Sequence, residues 1–171
     1  MKRALLWAAG IGLIIASPGF NAAAYAKSSS DEEAIRALEQ NFRDAFRVRD
    51  VEKIMANYER SEKLIVFDVV PPRQHVGWDA YKKAWQDFLS TLEDPISFDI
   101  NDLNITVSGD LAYSYSSQHT SGQMNNGSPV DRTVRVTDVY RKIGGRWLIV
   151  HEHVSVPVDL KTEKPDIHSK P

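Results

Sequence analysis

The sequence predicts an α+β fold in which helices precede a bent antiparallel sheet. Three observations carry this: apolar residues recur at helical spacing up to Leu89, at a period of two from Pro95 onward, and turn signals punctuate the second half. The chain has 171 residues, with 21 Lys+Arg against 23 Asp+Glu and no cysteine. That length suits one domain, and a composition 42% hydrophobic and 26% charged excludes collagen-like, disulfide-stapled and low-complexity classes. A formal net charge of −2 argues against a nucleic-acid partner. The absence of cysteine rules out disulfides, thiolate chemistry and a lipid anchor on cysteine.

Met1-Lys2-Arg3, the apolar run Ala4–Ala16 and Ala24-Tyr25-Ala26 follow the order of a secretory signal, with the cut after Ala26. The apolar run is shorter than the roughly 20 residues of a spanning helix, so no membrane association is expected after cleavage. Removing residues 1–26, which hold two basic residues and no acid, leaves 145 residues and a formal net charge of −4. The expected location is periplasmic or secreted.

Ser30 and Glu33 form a capping box, and Ile35, Leu38, Phe42, Ala45 and Phe46 continue as one helical stripe. Asp50 caps a second, short helix. Leu64–Val70 reads as a buried strand ended by Pro71-Pro72. Gly77 precedes a third helix whose inner side carries Tyr81, Trp85 and Phe88. Ile96, Phe98 and Ile100 alternate, then Leu103, Ile105 and Val107 do so on the other parity, which places a bulge near Asn101-Asp102. Asn126-Gly127 and Gly144-Gly145 signal two hairpins, with the last strand from Arg146 to Val156. The tail 158–171 reads as unstructured.

This order, with Arg135–Lys142 and Gly145-Arg146-Trp147-Leu148-Ile149-Val150-His151-Glu152-His153-Val154-Ser155-Val156-Pro157, resembles the SnoaL-like branch of the nuclear transport factor 2-like superfamily, whose members include ketosteroid isomerase homologues. Pro72, Gly77, Ala80 and Trp85 fit the same pattern. The resemblance covers roughly residues 31–157, within a domain set at 27–157. It implies three N-terminal helices packed in a strongly curved antiparallel sheet, a cystatin-like cone with a pocket at its open end, and dimers formed through the sheet. The isomerases use a carboxylate base and two oxyanion donors, a Tyr and a protonated Asp. Against them, Phe42 stands where the Tyr would be and Thr137 near the Asp, while Asp68 is the counterpart of the base. A steroid isomerase reading is therefore poor.

The faces depend on the hairpin registers. A three-residue turn Ile143-Gly144-Gly145 sets Arg141 opposite Trp147, Thr137 opposite His151 and Arg135 opposite His153, and is preferred because it gathers the family-like residues on one face. A two-residue turn Gly144-Gly145 sets Tyr140 opposite Ile149 instead. A two-residue turn Asn126-Gly127 sets Gln118 opposite Arg135. Either the face of Arg135, His151 and His153 lines the pocket and the apolar face of Tyr113, Tyr115, Val136 and Tyr140 meets a second copy, or the apolar face packs against the helices and the other faces solvent.

The candidate catalytic residues are His151 and Asp68: an imidazole suits acid–base work near neutral pH, and an acid in an apolar strand can carry a raised pKa. The candidate ligand-binding residues are Arg135, His153, Thr137, Gln118, Tyr58, Trp85 and Trp147, with Arg135 as an oxyanion anchor. A metal at His151 and His153 would need a third and usually a fourth ligand, which only His75, His119 or a distant acid could supply, and no phosphate loop or dinucleotide fingerprint occurs, so neither metal nor cofactor is expected. The reading is an exported domain, a homodimer through its sheet, that binds a small, partly apolar ligand. Either it performs isomerase, lyase or hydratase chemistry there, or it is a non-catalytic binding or association module.

Overall fold

A computed structural model describes residues 22–168. Helix α1 (Ala22–Arg47) and the short α2 (Val51–Met55) are followed by β1 (Ile65–Phe67), β2 (His75–Val76) and α3 (Trp78–Leu89). Four long strands complete the sheet: β3 (Leu92–Ser108), β4 (Leu111–Met124), β5 (Pro129–Ile143) and β6 (Arg146–Ser155). The strand order is β2-β1-β6-β5-β4-β3, antiparallel except where β1 runs parallel to β6. The result is an α+β fold with a large curled, mixed sheet around its helices, and the single parallel pair departs from the all-antiparallel expectation. Residues 1–21, with most of the predicted export signal, lie outside the described residues. Among the described residues no helix is long and apolar enough to cross a membrane.

Several local features follow from the sequence as read. Asp50 caps α2 by accepting the Lys53 backbone N–H at 3.1 Å. Gly77 precedes α3 with φ 88°, in the left-handed region that favours glycine. The β3–β4 register shifts between Asn101 and Asn104, at the phase slip of the apolar residues. Ser30, however, lies inside α1, because the alanine-rich segment before it continues the helix instead of leaving Ser30 at its start. The strand expected over Leu64–Val70 shortens to Ile65–Phe67, and the chain leaves the sheet at Asp68. The tail is not structureless: β7 (Val158–Asp159) pairs with β8 (Lys164–Pro165), and the Thr133 N–H reaches the Ile167 carbonyl at 2.8 Å. Asp159 organises that turn by accepting the Lys161 N–H at 2.8 Å.

The core is built from α1, α2, α3 and the concave side of the sheet, with Ile35, Phe42, Ile54, Leu64 and Ile149 among its buried members. Phe46 stacks on Phe98 with ring centroids 4.1 Å apart, joining α1 to β3. At the end of the same helix, Arg47 donates to the Phe98 carbonyl at 2.9 Å and pairs with Asp99 at 2.6 Å.

Both hairpin registers differ from the preferred expectations. The first is closed by three residues, Asn125-Asn126-Gly127, with Gly127 at φ 81°. Gln118 therefore faces Val134, and Ser117 faces Arg135. The second has the two-residue turn, since Ile143 pairs with Arg146 and Tyr140 with Ile149. Beyond Tyr140 the register shifts, because Val150 has no partner on β5, and Val139 pairs with His151, Thr137 with His153 and Arg135 with Ser155. This bulge separates residues expected on one face. Trp147 and Ile149 point inward with Glu152, whereas His151 and His153 share the outer face with Arg135 and Thr137. The reversed face assignment thus holds for β5, with Val136 and Tyr140 buried, but Tyr113 and Tyr115 are exposed.

This placement fixes an energetic asymmetry. Ile149 is 1% exposed, so Ile149→Ala is expected to cost about 2–5 kcal/mol through lost burial and a residual cavity. Arg141→Ala, on the outer face of the adjoining strand, is expected to leave stability nearly unchanged. Urea unfolding of the two variants measures both.

Candidate functional site

A cavity of about 500 Å³ opens between α1, α3, the Asp68–Pro72 segment and the concave side of β4, β5 and β6. Its aromatic side comes from the helices and β3: Phe42, Phe46, Trp85, Phe88 and Phe98. Helical spacing puts Phe42 and Phe46 on one face of α1, and Trp85 and Phe88 on one face of α3. Trp85 meets both α1 rings edge-on, at 5.6 Å and 5.7 Å between centroids. Its polar side consists of Gln118, Thr120, Arg132 and Glu152 from the sheet, with Asp68 and His75 from the segment beside it. The exposed lining residues, Val69, Val70 and Arg132 among them, mark the mouth, and the buried Phe42, Tyr81, Gln118 and Glu152 mark the floor. The His75 Nε2 and Trp85 Nε1 atoms are buried with no hydrogen-bond partner among the described residues.

Glu152 is the chemical centre of the floor. It is 5% exposed. Its carboxyl accepts the Tyr58 hydroxyl at 2.6 Å and the Tyr81 hydroxyl at 2.5 Å. Asp138 lies directly across the ladder and shares a side-chain hydrogen bond with it. Burial pushes the Glu152 carboxyl above the ordinary glutamate value, against the lowering by the two tyrosines, and the charge of Asp68 adds to the rise. Asp138 is pushed well above its ordinary value, first by burial and then by the charges of Glu39 and Glu152. Burial thus favours a proton within this pair of facing acids, and Glu152 receives the two tyrosine hydroxyls.

The polar chain continues away from the cavity. The Tyr140 hydroxyl donates to Glu39 at 2.6 Å and lies 2.7 Å from the Ser114 hydroxyl, which donates to it in turn. Glu39 is itself pushed up to about 7, chiefly by burial. Among the described residues no ion pair is formed by Glu39, Asp138 or Glu152, and no group of three or more His, Asp or Glu could hold a metal ion.

Of the residues expected to form the site, the structure brings Asp68, Gln118 and Trp85 to the cavity. Tyr58 lies beneath it, donating to Glu152. Trp147 is buried elsewhere: its indole N–H donates to Asp31 at 3.2 Å, next to the Asp31–Lys142 ion pair. His151, His153, Arg135 and Thr137 stand on the outer face: the bulge at Val150 turns the two histidines outward, and Arg135 and Thr137 alternate with the buried Val136 and Asp138 on β5. There His151 Nδ1 bonds the Ile65 carbonyl at 2.7 Å, and Phe67 lies edge-on to both imidazoles. Sequence reasoning missed Glu152, Asp138, Tyr81, His75 and Arg132 as site groups. The one available signal was two acids in otherwise apolar strand segments, Asp138 between Thr137 and Val139 and Glu152 between the two histidines.

This arrangement of helices, curled sheet and cavity can be set against known proteins. The family model described as a SnoaL-like domain matches residues 35–159. The chain belongs to the SnoaL-like family. A nuclear transport factor 2-like protein of unknown function from Pseudomonas putida is 30% identical over 84% of this chain and 99% of its own, with a TM-score of 0.75. Two more distant structures share the fold. One is a ketosteroid isomerase-like protein from Erwinia carotovora (18% identity, 72% of this chain and 93% of its own, TM-score 0.61). The other is a cystatin-like protein from Nostoc punctiforme (18% identity, 77% and 95%, TM-score 0.61). No curated protein matches the chain.

The buried acids of this SnoaL-like domain give its stability a definite pH dependence. Glu39 binds its proton more tightly folded than unfolded, so its contribution becomes destabilising as pH rises from about 4.5 to about 7. Glu39→Gln, which keeps an acceptor for Tyr140, is expected to raise stability near pH 8 by roughly 3 kcal/mol and to change it little near pH 4. Denaturant titrations across that range measure the difference.

Proposed function

We propose that this SnoaL-like protein is exported and binds a small, partly apolar ligand in the cavity, where Glu152 acts as a general base. The observation that carries the reading is a carboxyl with a raised pKa at the floor of an aromatic-walled cavity of about 500 Å³, a size and lining suited to a small molecule. A carboxylate of raised pKa takes a proton more readily than an ordinary one, and proton removal beside a carbonyl is the shared first step of isomerase- and lyase-type reactions. Asp68, also lining the cavity, is the second carboxylate available for proton return. His151 has no place in this chemistry, since it faces away from the cavity. Export is supported by the basic, apolar and small-residue order of residues 1–26.

A second reading, binding without turnover, is favoured by a different observation. The hydroxyls of Tyr58 and Tyr81 both engage Glu152, so neither is directed at a ligand's developing oxyanion. Exchange of carbon-bound protons separates the two. Across a panel of cyclic and aryl ketones in heavy water, the native protein is expected to accelerate α-proton exchange of those that bind. Glu152→Gln should lower that rate by about 10²-fold or more while the protein stays folded. Binding without exchange would establish the second reading, and no binding at all would sink both.

We further infer a homodimer formed through the outer face of the sheet. Two cross-strand rows there, Tyr113–Val139–His151–Ile65 and Tyr115–Thr137–His153–Phe67, present Tyr113 at 47%, Tyr115 at 52% and Phe67 at 38% exposure. A clustered aromatic surface of this kind is stabilised by a covering partner. Tyr115→Lys is expected to yield a folded monomer in sedimentation velocity. A native protein that sediments as a monomer would remove the proposal.

A further inference from the structure

Arg132 occupies an inward-facing position on β5, between Val130 and Val134, which also line the cavity, and opposite Thr120 on β4. The four arginines on and just after α1 that have a carboxylate within reach, Arg36, Arg43, Arg47 and Arg49, pair with it; Arg132 differs in lining the cavity. Among the described residues the Arg132 side chain forms neither a hydrogen bond nor an ion pair, although two carboxylates besides Glu152 line the same cavity. Asp87 is held by Lys83 at 2.8 Å, and Asp68 accepts the Val69 N–H at 2.6 Å. Among the described residues the cavity thus has one unengaged cation, located on its exposed side.

We propose that Arg132 anchors the ligand through a carboxylate, so that the cavity takes an organic acid with an apolar body. This inference rests on the cavity being the ligand site. A guanidinium offers a planar pair of N–H donors that matches a carboxylate. At the mouth both groups keep part of their hydration, which limits the cost of desolvating them. Charge also sets the orientation. A carboxylate at the floor would meet Glu152 and Asp68, whereas at the mouth it meets Arg132 and leaves the apolar body against Phe42, Trp85 and Phe98.

The test uses trans-cinnamate and its neutral isostere trans-cinnamamide, measured by calorimetry on the native protein, Arg132→Gln and Arg132→Lys. Cinnamate is expected to bind roughly tenfold or more tighter than the amide. Arg132→Gln should abolish that preference without changing amide binding, and Arg132→Lys should keep part of it, since charge remains without the fork. Because Arg132 is exposed, the variants are expected to fold, with circular dichroism as the check. Equal binding of acid and amide by the native protein, or an undiminished preference in Arg132→Gln, would overturn the anchor while leaving the cavity as a binding site. If neither compound binds, the anchor and the cavity reading fall together.

Discussion

With Val150 unpaired on β5, Ile149 and Glu152 both face the concave side although they are three residues apart. Strict alternation would put them on opposite faces. The candidate site depends on this one extra residue. On the turn side of the bulge, Trp147 and Ile149 seal the core beneath α1. Beyond it, Glu152 and Val154 line the cavity. The same shift sends His151 and His153 outward, where β1 meets them in parallel register and Phe67 packs against both rings. Bulges recur where a strand must re-aim a side chain, and here the re-aimed group is the carboxyl.

Placing Glu152 in the interior has consequences for its surroundings. An isolated carboxylate at that depth would cost several kcal/mol, so the neighbouring polar groups are arranged around it. Tyr58 is held in place by its own position beside β6: the Glu59 N–H donates to the Ile149 carbonyl and the Ile149 N–H to the Asn57 carbonyl, both at 2.8 Å. Tyr81 comes from the buried face of α3, so the two donors reach Glu152 from different elements. Asp138 and Glu39 extend the polar chain towards α1 by way of Tyr140. Among the described residues no cation pairs with any of the three acids, and burial raises the proton affinity of each. The folded form is consequently favoured by acid, in contrast to surface carboxylates such as Asp50, which is held low by Lys53.

Much of the fold was legible in the sequence because its signals are local. Asp50 before a short apolar stripe, Gly77 before α3 and the parity change at Asn101-Asp102 each state a physical requirement within a few residues. The candidate site was less legible because it depends on register. At Asn101-Asp102 the apolar residues visibly change parity. At Val150 the run Leu148-Ile149-Val150 is apolar throughout, so the bulge leaves no trace in the pattern. The resemblance of Glu152 to a surface acid between two histidines hid it further, since alternation then assigns the histidines to the interior. Asn126-Gly127 misled by one residue for a similar reason: Gly127 suits the left-handed position of a two-residue or a three-residue loop equally well. That single step moved Gln118 from a position opposite Arg135 to one opposite Val134.

Two tyrosine hydroxyls converging on one group form an arrangement that stabilises negative charge. In this protein the group is its own Glu152, so the charge at the cavity floor is stabilised before any ligand arrives. The proton affinity of Glu152 is then set by the balance between burial, which raises the carboxyl's pKa, and the two tyrosine donors, which lower it. A ligand's own oxygen must find its donors elsewhere. Among the described residues, the polar side chains along the cavity that carry no protein hydrogen bond are Gln118, Thr120, His75, Trp85 and Arg132, three of them on the β4–β5 wall. For the ligand proposed above, this distribution favours placing its oxygen on that wall and away from Tyr58 and Tyr81. Its apolar body is then left against Trp85 and Phe98, with its inner end within the field of Glu152.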